Sequence, residues 1–465
     1  MHPTAWTLTE TAAHIADRSI SPLELTQAYL DRIQRLNPLL NAYITVTADR
    51  ALADAHAAEA EIARGAYRGP LHGVPIAVKD LYETAGIPTT AGSSFRRDFI
   101  PTQDSAPMSR LRDAGTVLLG KLNLHEWALG VINDNPYFGS CLNPWDTGRS
   151  PGGSSGGSGA ALAADLCAGS LGSDTRGSIR IPAALCGVVG LKPTFGRVSL
   201  RGVVPLSGSL DHAGPMTKSV ADAALLLQAI AGYDPADPGS VDVPVEDYSA
   251  NLTAGVKGLR IGVAHDAFFR AVAPEILAAF EAAAELLARL GAALRPVDLG
   301  FAQETVQTSR VMVSCDAAAF HQERLIEHPD AFGADVRGRL EGGTRFTGVE
   351  YALARRSQTE LKHRLAALFQ GVDLLITPCT RMVAPRLDDP KAVEQSRASL
   401  SYLTAPFNMA GLPCLSVPCG FTADHLPIGL QIVGRPWQES LVLRAGHAYE
   451  QAAGWHLREP DLPQE

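Results

Sequence analysis

Two serines and a lysine are the residues of this chain whose types and spacing could do chemistry. Ser154 stands in GGSSGG, and Ser178 stands in TRGSIR, 24 residues later. Lys79 closes the apolar run GVPIAVK, 75 residues before Ser154. A serine hydroxyl becomes a nucleophile only when a base takes its proton. Lysine can be that base when neutral, and burial at the end of an apolar strand disfavours its charged form. The drop required, from ~10.4 toward ~7–8, corresponds to roughly 4 kcal/mol. Taken alone, Lys79 also reads as a surface lysine paired with Asp80.

The stretch that carries both serines, residues 149–193, is dense in glycine. It is interrupted by apolar runs such as AALAADL and AALCGVVGL, so it reads as tight structured loops rather than a polar linker. A phosphate cradle would need Lys-Ser/Thr after the last glycine or a strand before the first, and neither is present. Gly152-Gly153-Ser154-Ser155-Gly156 matches the GxSxG of a nucleophile elbow. That motif wants a preceding strand and a later His partner. His212 is the best-placed histidine, although a hydrogen-bonded structural role explains it more simply. An α/β-hydrolase-type serine esterase therefore stays open as a rival. The composition of the stretch does not choose among these readings.

The elements that must position these groups alternate. Ser21-Pro22 opens a helix that the pattern breaks at Pro38, and a second helix spans about 51–64. Strands are expected at 73–80, 115–120, 259–264, 373–378, 414–420 and 427–434. Helices are expected at 105–115, 274–290, 309–327, 349–370 and 439–453. Cys186 reads as part of an apolar strand. Several strands are apolar on both faces, as in a central mixed β-sheet flanked by helices on both faces. A single domain over 1–465 is expected: a helical N-terminal layer (1–65), a catalytic core (66–235), a variable substrate-pocket region (236–400) and a C-terminal core (401–465).

The net charge of −9 and a pI near 5.8 argue against direct nucleic-acid binding. No apolar run is long enough to span a membrane. Seven scattered cysteines without a CxxC pair suggest a reducing, cytoplasmic setting.

GSDTRGSIRIPAALCGVVGLKPT, GGSSGG and GVPIAVKD together resemble the amidase signature family. Ser19 to Ala42, KLNLHEWALG, NPWD at 143–146 and LTAPFNMAGLPCLSVPCG…PIGLQIVGRPW extend the resemblance over residues 19–450, more weakly at 235–350. It implies the amidase signature fold and a Ser–cis-Ser–Lys set. Ser178 would be the nucleophile, Ser154 the bridging serine after a non-proline cis peptide, and Lys79 the base. Backbone N–H groups of Thr175, Arg176, Gly177 and Ser178 would form the oxyanion hole. Asp174 and Arg180 would hold that loop by charge-assisted hydrogen bonds. No metal or cofactor is implied. The family usually has a small residue where this chain has Arg176. Its guanidinium would either line the site, favouring a substrate with a carboxylate nearby, or turn inward to an acid such as Asp174.

Trp127, Asn133, Tyr137, Phe138, Phe346 and Met382 are the candidate pocket lining. Their aromatic character suggests an apolar amide, anilide or carbamate, with a urea or biuret type second. The expected partners are a small-molecule amide or carbamate, with no nucleic acid, no membrane, and a homodimer as the assembly considered. The alternative is the glutaminase (A-type) component of a tRNA-dependent amidotransferase complex. Its members clamp glutamine with an arginine, and Arg355, Arg356 and Arg364 lie in the corresponding region.

Overall fold

A computed structural model of the chain describes residues 2–463. Eleven strands form one sheet. They are β1 (Tyr43–Val46), β2 (Pro75–Lys79), β3 (Val117–Leu122), β4 (Gly169–Asp174), β5 (Val189–Lys192), β6 (His212–Thr217), β7 (Arg260–Ala264), β8 (Ala293–Val297), β9 (Leu374–Pro378), β10 (Cys414–Phe421) and β11 (Pro427–Val433). Their spatial order is β1-β3-β2-β4-β6-β5-β10-β11-β9-β7-β8. β2 runs parallel to both β3 and β4, and β7 runs parallel to β8 and β9. The remaining pairings are antiparallel. Helices flank both sides, so the sheet is mixed and covered, as its apolar strands require.

Every residue of β2, β3 and β4 is buried. Because β2 and β4 are parallel neighbours, with Val78 opposite Leu171, their C-terminal ends meet at one edge of the sheet. Lys79 and Asp174 are those ends.

Two local readings need correction. The helix Pro22–Leu40 runs through Pro38 and ends at Asn41, in left-handed conformation with φ 50°. Pro38 lies in the last turn, where a lost donor interrupts little of the helix that follows. Its start is as expected, with Ser21 and Glu24 exchanging capping hydrogen bonds. Cys186 lies in a helix, Arg180–Cys186, rather than a strand; Gly187, at φ 70°, ends that helix before β5 begins at Val189. Helices Ala334–Gly343 and Pro390–Ser399, and strand β6, lack a legible sequence period. No helix among the described residues is long and apolar enough to cross a membrane.

Candidate functional site

The edge where β2 and β4 end brings the lysine and the glycine-framed serines together. Lys79 is fully buried, and its Nζ donates to Ser154 Oγ at 2.7 Å and to Ser173 Oγ at 2.8 Å. Burial lowers its pKa from the ordinary 10.5 to about 7, while the charges of Asp174 and Asp211 oppose the drop. Asp80 does not pair with it. That carboxylate faces Lys121 Nζ at 3.1 Å, both groups fully buried, so the surface-lysine reading fails.

The Gly153–Ser154 peptide is cis. The loop is stitched to its surroundings: His125 N–H donates to the Ser154 carbonyl, and Ser155 N–H to the Ser178 carbonyl. Ser155 Oγ donates to the Ser173 carbonyl and accepts from the Ser173 N–H. Helix Gly156–Ala163 follows, packed so closely that a Cβ on Gly157 would strike the carbonyls of Asn123 and Ala42. Ser178 precedes helix Arg180–Cys186 and is 7% exposed. Its hydroxyl makes no hydrogen bond among the described residues, which leaves it free toward a ligand.

Asp174 anchors this second loop. Its carboxylate accepts from the N–H of Gly177 at 2.6 Å and of Ile179 at 3.2 Å, and pairs with Arg180 through two bonds of 3.0 Å. Burial alone would raise this carboxyl, but Arg180 holds it well below the usual carboxylate range. Arg180 also donates to the Thr404 carbonyl, Asn408 Oδ1 and Gln431 Oε1. Of the four N–H groups expected in the oxyanion hole, that of Gly177 is therefore committed to Asp174. Those of Thr175, Arg176 and Ser178 have no acceptor among the described residues. Thr175 Oγ1 donates to Asp211, whose carboxyl burial pushes up to about 6.

Arg176 does not pair with Asp174. It lines a cavity of about 510 Å³ with Arg310, Arg339, Arg397, Tyr402 and Phe346. Of the expected pocket residues, Phe346 alone lines this cavity. Trp127 is buried against Phe95, Phe320 and His321. Asn133 is buried beside the Gly153 turn with both amide atoms unpartnered. The Tyr137 hydroxyl donates to the Ala331 carbonyl, Phe138 lies under Arg97, and Met382 packs with Ile132, Ile181 and Leu400. Arg355, Arg356 and Arg364 are exposed and do not line it. The lining is thus rich in guanidinium rather than in aromatic rings.

His212, the esterase candidate, lies in β6 with Nδ1 against the carbonyls of Leu210 and Asp174, and burial drives its pKa far down. Sequence reasoning missed Ser173, Asn408 and Gln431. A signal existed for the last, a lone amide inside the apolar run PIGLQIV.

A family model described as Amidase matches residues 24–443. The chain is similar to the A-type component of the glutamyl-tRNA(Gln) amidotransferase of Geobacter sp. (strain M21), with 40% identity over 98% of this chain and 99% of that one. It is also similar to an amidase of Pseudomonas putida, with 44% identity over 99% and 98% of the two chains. A solved structure described as a vestigial protein complex revealing the origins of an s-triazine catabolic enzyme superposes with a TM-score of 0.92 at 38% identity, covering 97% of this chain and 99% of that chain. The amidotransferase relative overturns the expected partners, those of a simple small-molecule amide or carbamate enzyme with no nucleic acid and a homodimer. The Geobacter relative is by name one subunit of an enzyme for a charged tRNA. The acidic charge of one chain does not speak for an assembly, because another subunit can carry the contact with RNA. Family model, whole-length relatives and backbone agree that the chain belongs to the amidase signature family of hydrolases acting on C–N bonds.

Proposed function

We propose that this chain cleaves a carboxamide C–N bond through an acyl-enzyme on Ser178, in the role of an A-type amidotransferase subunit, with the side-chain amide of glutamine as substrate. The observation that carries the chemistry is the buried Lys79 amine, with pKa about 7, set 2.7 Å from Ser154 Oγ; the glutamine reading is supported by the similarity to an A-type amidotransferase component. A neutral amine keeps two N–H donors and one lone pair. With Ser173 Oγ accepting one N–H, the lone pair can face Ser154.

In this scheme Lys79 takes the Ser154 proton as Ser154 takes that of Ser178, and Ser178 Oγ bonds to the amide carbon. The oxyanion is met by the free N–H groups of Thr175, Arg176 and Ser178; such preorganised donors are each worth roughly 3 kcal/mol. The C–N bond breaks as the relay returns the proton to nitrogen, and ammonia leaves. Water, deprotonated by the same relay, attacks the ester. The products are the carboxylic acid and free Ser178, so amide plus water becomes acid plus ammonia.

Ammonia release from glutamine by the purified chain, alone and with the other subunits of an amidotransferase, tests the reading. Activity abolished in Ser178→Ala is the expected result. A Ser178→Ala protein that retains turnover, or glutamine left intact in both states, overturns it. The backbone match to a complex tied by its description to an s-triazine catabolic enzyme favours a second reading, a nitrogen-rich amide of s-triazine breakdown, with the urea or biuret type expected from the sequence as its probe. Turnover of biuret with glutamine untouched would select it.

A further inference from the structure

The loop that presents the oxyanion donors is tied down by a side chain that the scheme above does not use. β4 and β6 pair antiparallel with Asp174 opposite His212, so one step further the register sets Thr175 across from Asp211. Cross-strand neighbours of this kind lie within side-chain reach. Thr175 Oγ1 donates to Asp211 Oδ1 at 2.6 Å, and both residues are buried. The other carboxylate oxygen, Oδ2, accepts from the N–H groups of Leu206 and Ser207 at 2.7 and 2.9 Å. That turn is fastened in its own right. Ser207 Oγ donates to Asp316 of helix Gln303–Phe320, and Asp316 also accepts from the Tyr351 hydroxyl at 2.7 Å.

Two peptide planes meet at the Cα of Thr175. The plane before it, the Asp174 carbonyl with the Thr175 N–H, is held at the carbonyl by Asn408 Nδ2 at 3.0 Å. The plane after it, the Thr175 carbonyl with the Arg176 N–H, has no hydrogen bond at either end among the described residues. The next plane is fixed again, the Arg176 carbonyl accepting from Thr404 Oγ1 and the Gly177 N–H donating to Asp174. The N–H groups of Thr175 and Arg176 are two of the three donors left free for the oxyanion. Such a donor stabilises the developing charge only when it is aimed before the reaction begins. With no backbone partner on the plane between them, the hydroxyl–carboxylate bond is the contact that fixes the torsions at Thr175. Burial raises the Asp211 carboxyl to about 6, so above neutral pH it is ionised and the bond is of the stronger, charge-assisted kind.

We propose that Asp211 is a positioning residue for the oxyanion hole: through the Thr175 hydroxyl it aims the N–H groups of Thr175 and Arg176 at the oxygen of the group that Ser178 attacks. The inference rests on Ser178 as the nucleophile and not on which amide is cleaved. It is separate from the effect of the Asp211 charge on Lys79. That effect acts through space and needs no hydroxyl on Thr175, whereas the tie is lost when the hydroxyl goes.

An alkyl fluorophosphonate tests this whatever the natural amide is. Ser178 Oγ bonds to phosphorus, the P–F bond breaks and fluoride leaves. The Ser178 proton passes through Ser154 to Lys79, and the phosphoryl oxygen takes the place of the oxyanion. The readout is the second-order rate of mass addition at Ser178, absent in Ser178→Ala. Thr175→Val removes the hydroxyl, keeps the backbone donors and should slow labelling about tenfold or more. Thr175→Ser returns the hydroxyl and should restore the rate to within about threefold of wild type. Asp211→Asn replaces one acceptor oxygen with an amide NH₂ and should slow labelling as well. The double variant Thr175→Val/Asp211→Asn should be no slower than the slower single variant, because both break one bond. The acid limb near pH 7 should stay in place in Thr175→Val and move in Asp211→Asn, which also loses the charge acting on Lys79. Thr175→Val at the wild-type rate, Thr175→Ser as slow as Thr175→Val, or losses that multiply in the double variant would each overturn the tie while leaving the nucleophile intact. The two threonine variants keep the test decisive if Asp211→Asn does not fold. A wild type left unmodified at Ser178 would overturn the nucleophile and the tie together.

Discussion

Replacing Lys79 by methionine keeps most of the side-chain volume and removes the titrating amine. Unfolded, the lysine holds its proton up to about pH 10.5; folded, it loses it near 7. Between those values the folded state binds fewer protons, so stability rises with pH through this window, and the penalty for burying the amine is largest below pH 7. The full shift of 10.5 to about 7 corresponds to about 5 kcal/mol. Linkage places most of that penalty at pH 6 and about 2 kcal/mol of it at pH 9. The stability of Lys79→Met relative to wild type should therefore improve by about 3 kcal/mol on going from pH 9 to pH 6. The hydrogen bonds lost to Ser154 and Ser173 shift both values together and leave the difference unaffected. Urea unfolding of both proteins at the two pH values measures it. A relative stability that moves by less than about 1 kcal/mol would refute the idea that Lys79 is buried as a free amine.

The same titration should appear in catalysis: kcat/KM of the wild type should fall tenfold per unit below pH 7 and level off above pH 8, and a limb above pH 9 would contradict it. Asp211→Asn removes a charge that raises the Lys79 pKa, so the limb should move to lower pH. Ser154→Ala should lower kcat/KM by roughly 10²–10⁴ with the fold intact by circular dichroism. Asp174→Asn strands the buried Arg180 and should cost about 3–5 kcal/mol by denaturant unfolding. Gly177 sits at φ 132°, and a Cβ there would run into the Thr404 hydroxyl, so Gly177→Ala should lower both Tm and turnover.

The meeting of Lys79 with Ser154 was legible only through the family resemblance. Taken alone, the lysine also fitted a surface pair with Asp80, and the glycine-framed serines fitted several motifs. β2, β9 and β11 were legible from the residues alone, since short apolar runs bounded by turn residues fit only covered strands. The run around Cys186 misled because it has no period. A helix and a strand lie almost end to end there, divided by Gly187 and Val188. Pro38 misled because a proline in the last turn removes only one hydrogen bond. The arginine cluster was illegible for a different reason. Arg310, Arg339 and Arg397 each sit on a separate helix with the composition of a solvated face, and only tertiary packing turns them toward Arg176. The aromatic residues of 127–138 pointed elsewhere because Trp127 serves the core, Tyr137 is tied to the Ala331 carbonyl and Phe138 is covered by Arg97.

Arg180 joins the nucleophile loop to Thr404, Asn408 and Gln431, which lie 224 to 251 positions further along the chain. During synthesis the loop therefore emerges long before its clasp exists. A ribosome-bound chain that stops short of β11 holds Ser154, Ser178 and Lys79 in sequence but lacks part of the clasp that fixes their geometry. Truncation of the C-terminal strands should therefore loosen the Ser178 loop from the far end of the polypeptide.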